Sequence, residues 1–220
     1  MKITAISDIH GYLPDIPNCD LLLIAGDICP ATDHSFYFQS QWLKADFCNW
    51  LNKVPAKNII VVAGNHDWYF SNCSHKFSAQ FVQFPKHVHY LQDSTVNIDG
   101  LNIYGTPWQP IFCDWAFNLN EIDLDSKFKA IPDNCDVLVT HGPPYGYCDI
   151  SDFQPGQHLG SKSLLKHIMR VLPKLVVFGH IHTGSHDPIQ VGNTKQCNIV
   201  NVSYVNERYK PAYPPFTIDL

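Results

Sequence analysis

Five short apolar runs in this chain share one ending, and that ending constrains the fold more than any other feature. Ile3 to Ser7 leads into Asp8-Ile9-His10, Leu21 to Gly26 into Asp27, and Ile59 to Gly64 into Asn65-His66-Asp67. Val137 to Thr140 leads into His141, and Val176 to Gly179 into His180-Ile181-His182. Short β-branched and aliphatic runs of this kind read as buried central strands. Helical patterns lie between several of them. Trp42, Leu43, Phe47, Trp50, Leu51 and Val54 share one face, as do Leu164, Leu165, Ile168, Met169 and Leu172 ahead of the breaker Pro173. The alternation predicts an α/β fold with a largely parallel inner sheet.

Further strand patterns at Val88 to Leu91, Leu101 to Tyr104, Cys197 to Val202 and Phe216 to Leu220 predict a second sheet. The expected architecture is therefore a two-sheet β-sandwich flanked by helices. The 220 residues suit a single domain over 1–220. The Pro-rich stretches at Thr106 to Pro110, Gly142 to Pro144 and Pro211 to Pro215 are too short for linkers and read as shaped loops.

Ligands of open α/β sheets sit beyond the carboxyl ends of the strands. All five polar endings fall there, so Asp8, His10, Asp27, Asn65, His141, His180 and His182 are aimed at one region. If the strands continue, the period of two points Asp8 with His10 and His180 with His182, and each pair could chelate. Gly26, Gly64 and Gly179 stand immediately before donors, where tight turns bring backbone close to the site. Imidazole, carboxylate and one amide oxygen, without thiolate, suit Mn²⁺, Fe²⁺ or Zn²⁺, with Mn²⁺ the first expectation. Seven donors are too many for one catalytic ion but fit two ions sharing a carboxylate. Such a pair polarises a phosphoryl oxygen and generates a bridging hydroxide for in-line attack, which implies phosphoester hydrolysis.

The ordered pattern D-x-H, G-D, G-N-H-D, H and G-H-x-H resembles that of the calcineurin-like metallophosphoesterases. Gly105-Thr106-Pro107-Trp108-Gln109-Pro110, Asp114-Trp115-Ala116-Phe117-Asn118, Thr140 to Gly146 and the tail from Asn206 to Pro215 are similar to the metallophosphoesterase-domain-containing phosphodiesterase branch. The resemblance implies the two-sheet sandwich, with Asp8, His10 and His182 on one metal, Asn65, His141 and His180 on the other, and Asp27 bridging. It also implies that His66 touches the phosphate and protonates the leaving oxygen while Asp67 orients its ring. The branch implies small phosphodiesters, cyclic nucleotides included, as substrates. Cys29-Pro30 depart from the polar residues many members place after G-D, which leaves the support of Asp27 open.

The rival readings are a protein phosphatase, a nuclease and a scaffold without catalysis. The arginine-bearing loops of protein phosphatases are missing, as Cys29-Pro30 and Trp68-Tyr69 show, while none of the seven donors is absent. A net charge of −5 and only 16% charged residues argue against tracking along a long nucleic acid. No apolar run spans a bilayer, and Met1-Lys2-Ile3-Thr4 opens directly into a strand pattern, so a cytoplasmic protein is expected. The eight cysteines, Cys19, Cys29, Cys48, Cys73, Cys113, Cys135, Cys148 and Cys197, form no C-x-x-C pair and are expected to be free thiols.

His34, His75, His87, His89, His158, His167 and His186 lack motif support and are expected to be structural. His158 stands ahead of a helix whose N-terminus could meet an anion. Trp68, Tyr69 and Phe70, with Trp108, Phe112, Trp115 and Phe117, either wall a pocket and stack a base or pack the core. Arg208 is expected in an exposed salt bridge rather than on phosphate.

Overall fold

The computed structural model describes residues 1–72, 82–183 and 186–220. Cys73 and His75 lie outside the described residues. In the first sheet, β1 (Lys2–Ile6), β2 (Cys19–Ala25), β3 (Ala56–Val62) and β4 (Val88–Tyr90) run parallel, and β13 (Phe216–Asp219) pairs antiparallel with β1. The second sheet contains β5 (Ser94–Ile98), β6 (Leu101–Thr106), β9 (Val137–Thr140), β10 (Leu175–Phe178), β11 (Ile189–Val191) and β12 (Cys197–Asn201). Its order is β11-β12-β10-β9-β6-β5, parallel except at the two edges. A short pair, β7 (Gln109–Pro110) and β8 (Asn118–Leu119), stands apart.

The sandwich is as expected, but the strands divide differently. Three of the five motif-bearing strands belong to the first sheet and two, β9 and β10, to the second, while β4 and β13 extend the first. Every central strand of either sheet is covered on both faces, so an apolar run does not reveal which sheet it joins. The division matters for function, because the polar endings approach one place from two sheets.

Period-two alternation separates the packing layers. Ile3, Ala5, Leu21, Leu23, Ile60 and Val62 meet Ile103, Val137, Val139, Leu175, Val177 and Val200 between the sheets. The opposite faces of β1 to β3 pack against α1 (Phe36–Trp42), a π-helical turn (Leu43–Phe47) and α2 (Cys48–Leu51), through Leu43, Phe47 and Leu51. The one-turn helix α3 (Trp68–Ser71) adds Tyr69 and Phe70 to the same layer. On the other side, α4 (Glu121–Phe128) and α5 (Lys162–Val171) cover the second sheet.

Both outer helices begin on side-chain caps that satisfy orphan amides. Asn120 accepts from the amides of Ile122 and Asp123, and Ser161 from that of Leu164. The α5 stripe is Leu164, His167, Ile168 and Val171. Met169, expected on this face, is exposed, because it lies about 100° around the helix from Ile168. Among the described residues no helix is long and apolar enough to cross a membrane, and seven cysteines are free thiols.

Candidate metal centre

The seven donors meet where the ends of β1, β2 and β3 face the ends of β9 and β10. They do so without continuing the strands. β1 ends at Ile6, and Asp8, His10, Asp27 and His180 all have left-handed backbone, with φ of 52°, 41°, 50° and 68°. Non-glycine residues seldom adopt this region, and strain of this kind is held at sites by the structure around it. The period-two expectation for Asp8 with His10 is therefore met by turns rather than by strand. For His180 with His182 it fails: His182 Nε2 lies 3.2 Å from Asp8 Oδ1, whereas His180 Nδ1 lies 2.8 Å from Asn65 Oδ1. The two rings serve opposite sides of the centre.

Asp27 stands between those sides. Its Oδ2 is 3.7 Å from His10 Nε2 and its Oδ1 3.5 Å from His141 Nε2, and His141 Nε2 lies 2.8 Å from Asn65 Oδ1. Donor atoms of Asp8, His10 and His182 fall within 4.8 Å of one another, as do those of Asp8, Asp27 and His141 and those of His10, Asp27 and His66. Two glycines make this density possible. A Cβ at Gly179 would overlap the Asp8 carboxylate, and one at Gly64 would overlap Asp27.

The chemistry of the set fits divalent cations. Both ring nitrogens of His10 are buried without a hydrogen-bond partner, a costly state that coordination would relieve. Burial pushes His10 down to about 4 and His180 down to about 3, so both rings offer lone pairs at neutral pH. Burial opposes ionisation of Asp27, but His141, His66 and His10 outweigh it and hold the carboxyl well below its usual range. Burial likewise disfavours charge on His141, yet Asp27 and Asp8 raise it to about 9. A cation would take over the charge that this imidazolium balances.

His66 is fixed on several sides. Its amide donates to Asp27 Oδ1 at 2.7 Å, and its carbonyl accepts from Gln39 Nε2 at 2.7 Å. The buried Gln39, from α1, also accepts from the amide of Tyr69. The His66 ring rests 4.2 Å from that of Trp115, and burial lowers its pKa.

Asp67 does not orient this ring. Its carboxylate accepts from the amides of Ile28, Cys29 and Gly64, tying the loop after β2 to the loop after β3. The ring nitrogen of His66 instead meets His34, with His34 Nε2 2.9 Å from His66 Nδ1. The departure at Cys29-Pro30 is thereby explained, since the loop that carries Asp27 is supported by backbone bonds to Asp67 and needs no polar side chain at 29.

Several other expectations change. His34 belongs to the site rather than to the structural histidines. His158 and His167 remain structural, as expected, with ring nitrogens 2.7 Å from Asp149 Oδ1 and 3.0 Å from Asp125 Oδ1. Tyr69 and Phe70 are fully buried core, and Trp68 packs beside them. Trp108 gives its indole N–H to Asp93, under the ammonium of Lys127. Of the expected aromatic wall, Phe112 and Trp115 line the cavity over the donors, which has a volume of about 590 Å³. The residues missed by sequence reasoning are His34, Gln39, Tyr209 and Ser203, whose hydroxyl donates to Asp8 Oδ2. Only Ser203 carried a usable signal, as a polar residue just past a strand end.

A family model described as calcineurin-like phosphoesterase matches residues 1–184, the stretch that holds all seven donors and His66. The chain belongs to the calcineurin-like phosphoesterase family. The activity this family brings is metal-dependent phosphoester hydrolysis. The chain is similar to human metallophosphoesterase domain-containing protein 1, 35% identical over 242 residues spanning 100% of this chain and 71% of that protein. A UPF0046 protein of Caenorhabditis elegans is 32% identical over 255 residues, spanning 100% of this chain and 60% of that protein. Among solved structures, a phosphopantetheinyl hydrolase from Mycobacterium tuberculosis shares the fold, with a TM-score of 0.58 and 16% identity over 94% of this chain and 90% of that one.

Proposed function

We propose that the chain is a dinuclear metal-dependent phosphodiesterase acting on small diesters, cyclic nucleotides among them. The single observation that carries the diester reading is the lining of the cavity. Among the described residues no Lys or Arg lines it, whereas Phe112, Trp115, Phe153 and Tyr209 do, and Glu207 adds a carboxylate. A monoester approaches two negative charges and calls for cationic side chains beyond the metals; a diester carries one. The exposed rings of Phe112 and Phe153 offer faces to a base or another flat group.

In this reading Asp8, His10 and His182 would hold one divalent ion, and Asn65, His141 and His180 a second, with Asp27 between them. Mn²⁺ is the proposed metal, and Fe²⁺ or Zn²⁺ match the same donors. When bound, the ions supply a Lewis acid for the phosphoryl oxygen and bring the pKa of a coordinated water toward neutrality. The protein's own contribution is proton placement. With His66 as the imidazolium, its Nδ1–H donates to His34 Nε2 at 2.9 Å while its Nε2–H faces the Tyr209 side of the cavity. The Nε2 proton can pass to the leaving oxygen as the P–O bond breaks, which leaves His66 a neutral imidazole. The proposed setting is the cytoplasm, where thiols stay reduced, and the proposed partner is the small substrate rather than a long nucleic acid.

The test compares kcat/KM for a nucleoside monophosphate with that for its cyclic diester at saturating Mn²⁺. Preference for the diester is expected. Preference for the monoester would replace this reading with a phosphatase.

A further inference from the structure

Tyr209 lies beyond the stretch matched by the family model, in a tight turn that returns the chain to the donors. The turn is closed by backbone bonds from the amide of Tyr209 to the Asn206 carbonyl and from the amide of Asn206 to the Lys210 carbonyl. Asn206 Oδ1 also accepts from the amides of Arg208 and Lys210, and the Tyr12 hydroxyl donates to the Tyr209 carbonyl. These bonds hold Tyr209 at φ 54°, a left-handed conformation unfavourable for a bulky side chain. A residue recruited for packing alone would not need it, and Tyr209 remains 41% exposed.

That conformation sets the phenol over the centre. Its ring stands 4.7 Å from the His10 ring, 5.3 Å from that of His182 and 6.0 Å from that of His66, edge to face with each. The hydroxyl lies 3.5 Å from His66 Nε2, on the wall of the cavity. Two donors at this separation can both reach one oxygen at about 2.8 Å, an ordinary hydrogen-bond length.

We propose that Tyr209 is a catalytic residue: its hydroxyl donates a hydrogen bond to the same leaving oxygen that receives the His66 proton. The inference rests on the phosphodiesterase reading. As the P–O bond breaks, the electron pair goes to the leaving oxygen and the proton moves from His66 Nε2 to that oxygen. The Tyr209 proton stays on the phenol, which contributes a neutral donor to the developing charge.

The experiment uses the Mn²⁺-loaded full chain and Tyr209→Phe, which keeps the ring and its packing. Expected are unchanged metal content and thermal midpoint, a kcat at least about tenfold lower on a cyclic nucleotide, and a smaller loss on bis(4-nitrophenyl) phosphate, whose leaving group needs little help. Binding of inorganic phosphate, measured by calorimetry, should weaken about fivefold, since one of its four oxygens can occupy the position of the leaving oxygen. An unchanged phosphate affinity, or equal kcat losses on the two diesters, would overturn the role. If the wild-type protein hydrolyses no diester, the phosphodiesterase reading falls, and the phosphate measurement still decides whether Tyr209 touches the phosphoryl group.

Discussion

The donor floor of the site and the aromatic rim above it reach the same cavity from different kinds of backbone. The floor hangs on strand ends: Asp8, Asp27, Asn65, His141 and His180 each stand within two residues of β1, β2, β3, β9 or β10, or one short turn beyond. The rim comes from loops far apart in the chain, with Phe112 and Trp115 between β7 and β8 and Tyr209 ahead of β13, while His34, ahead of α1, stands behind the His66 ring. A floor residue is placed by the sheet registers, which the cores on both faces enforce. A rim residue is placed by a few hydrogen bonds of its own loop. Changes in the floor should therefore remove metal, whereas changes in the rim should alter turnover and substrate choice while metal remains.

His66 joins floor and rim, and its removal is the largest test of that distinction on catalysis. His66→Ala is expected to keep its metals and lose about 10²–10⁴ in kcat on diesters with poor leaving groups, with a smaller loss on activated aryl esters. Steady-state kinetics beside elemental analysis would show it, and equal losses on both ester types would remove the proton-donor role.

Asp67 and His34 separate loop support from ring support. Asp67→Ala leaves three buried amides without their acceptor and should lower the unfolding free energy by about 3 kcal/mol or more in a denaturant titration. The two tryptophans divide in the same way. Trp108→Ala should cost about 3 kcal/mol of stability through its lost packing and its bond to Asp93, with KM nearly unchanged. Trp115→Ala should instead raise KM for a nucleotide diester about tenfold, if the rim supplies the stacking face. The reverse pattern would move the substrate to Trp108. The smallest effect expected is that of His34→Ala, a drop in kcat of about threefold without loss of stability or metal, because the rings of His66 and Trp115 lose a neighbour and no buried group loses its only partner.

The same division explains what the sequence made legible. Apolar runs with period-two packing mark strands, and a polar residue at the end of each is visible without any knowledge of tertiary contacts; the structure groups Asp8, His10, Asp27, His141 and His182, with Asn65 2.8 Å from both His141 and His180. Sheet membership was hidden, since Val137 to Val139 and Ile59 to Val61 are equally apolar on both faces. His34, Gln39 and Tyr209 were hidden for another reason. Each reaches His66 through a long-range contact, across 32, 27 and 143 residues, and no local pattern announces such a contact. Asp67 misled because its neighbour in sequence is His66, while its carboxylate faces backbone on the other side of the turn.

In the proposed function, seven side chains from two sheets would hold a two-ion centre around Asp27. Elemental analysis of chelator-treated protein reconstituted with Mn²⁺, wild type beside Asp27→Ala, tests it most directly. The account predicts about two ions per chain in the wild type and, in the variant, loss of metal together with loss of activity. A full metal complement with normal turnover in Asp27→Ala would contradict it.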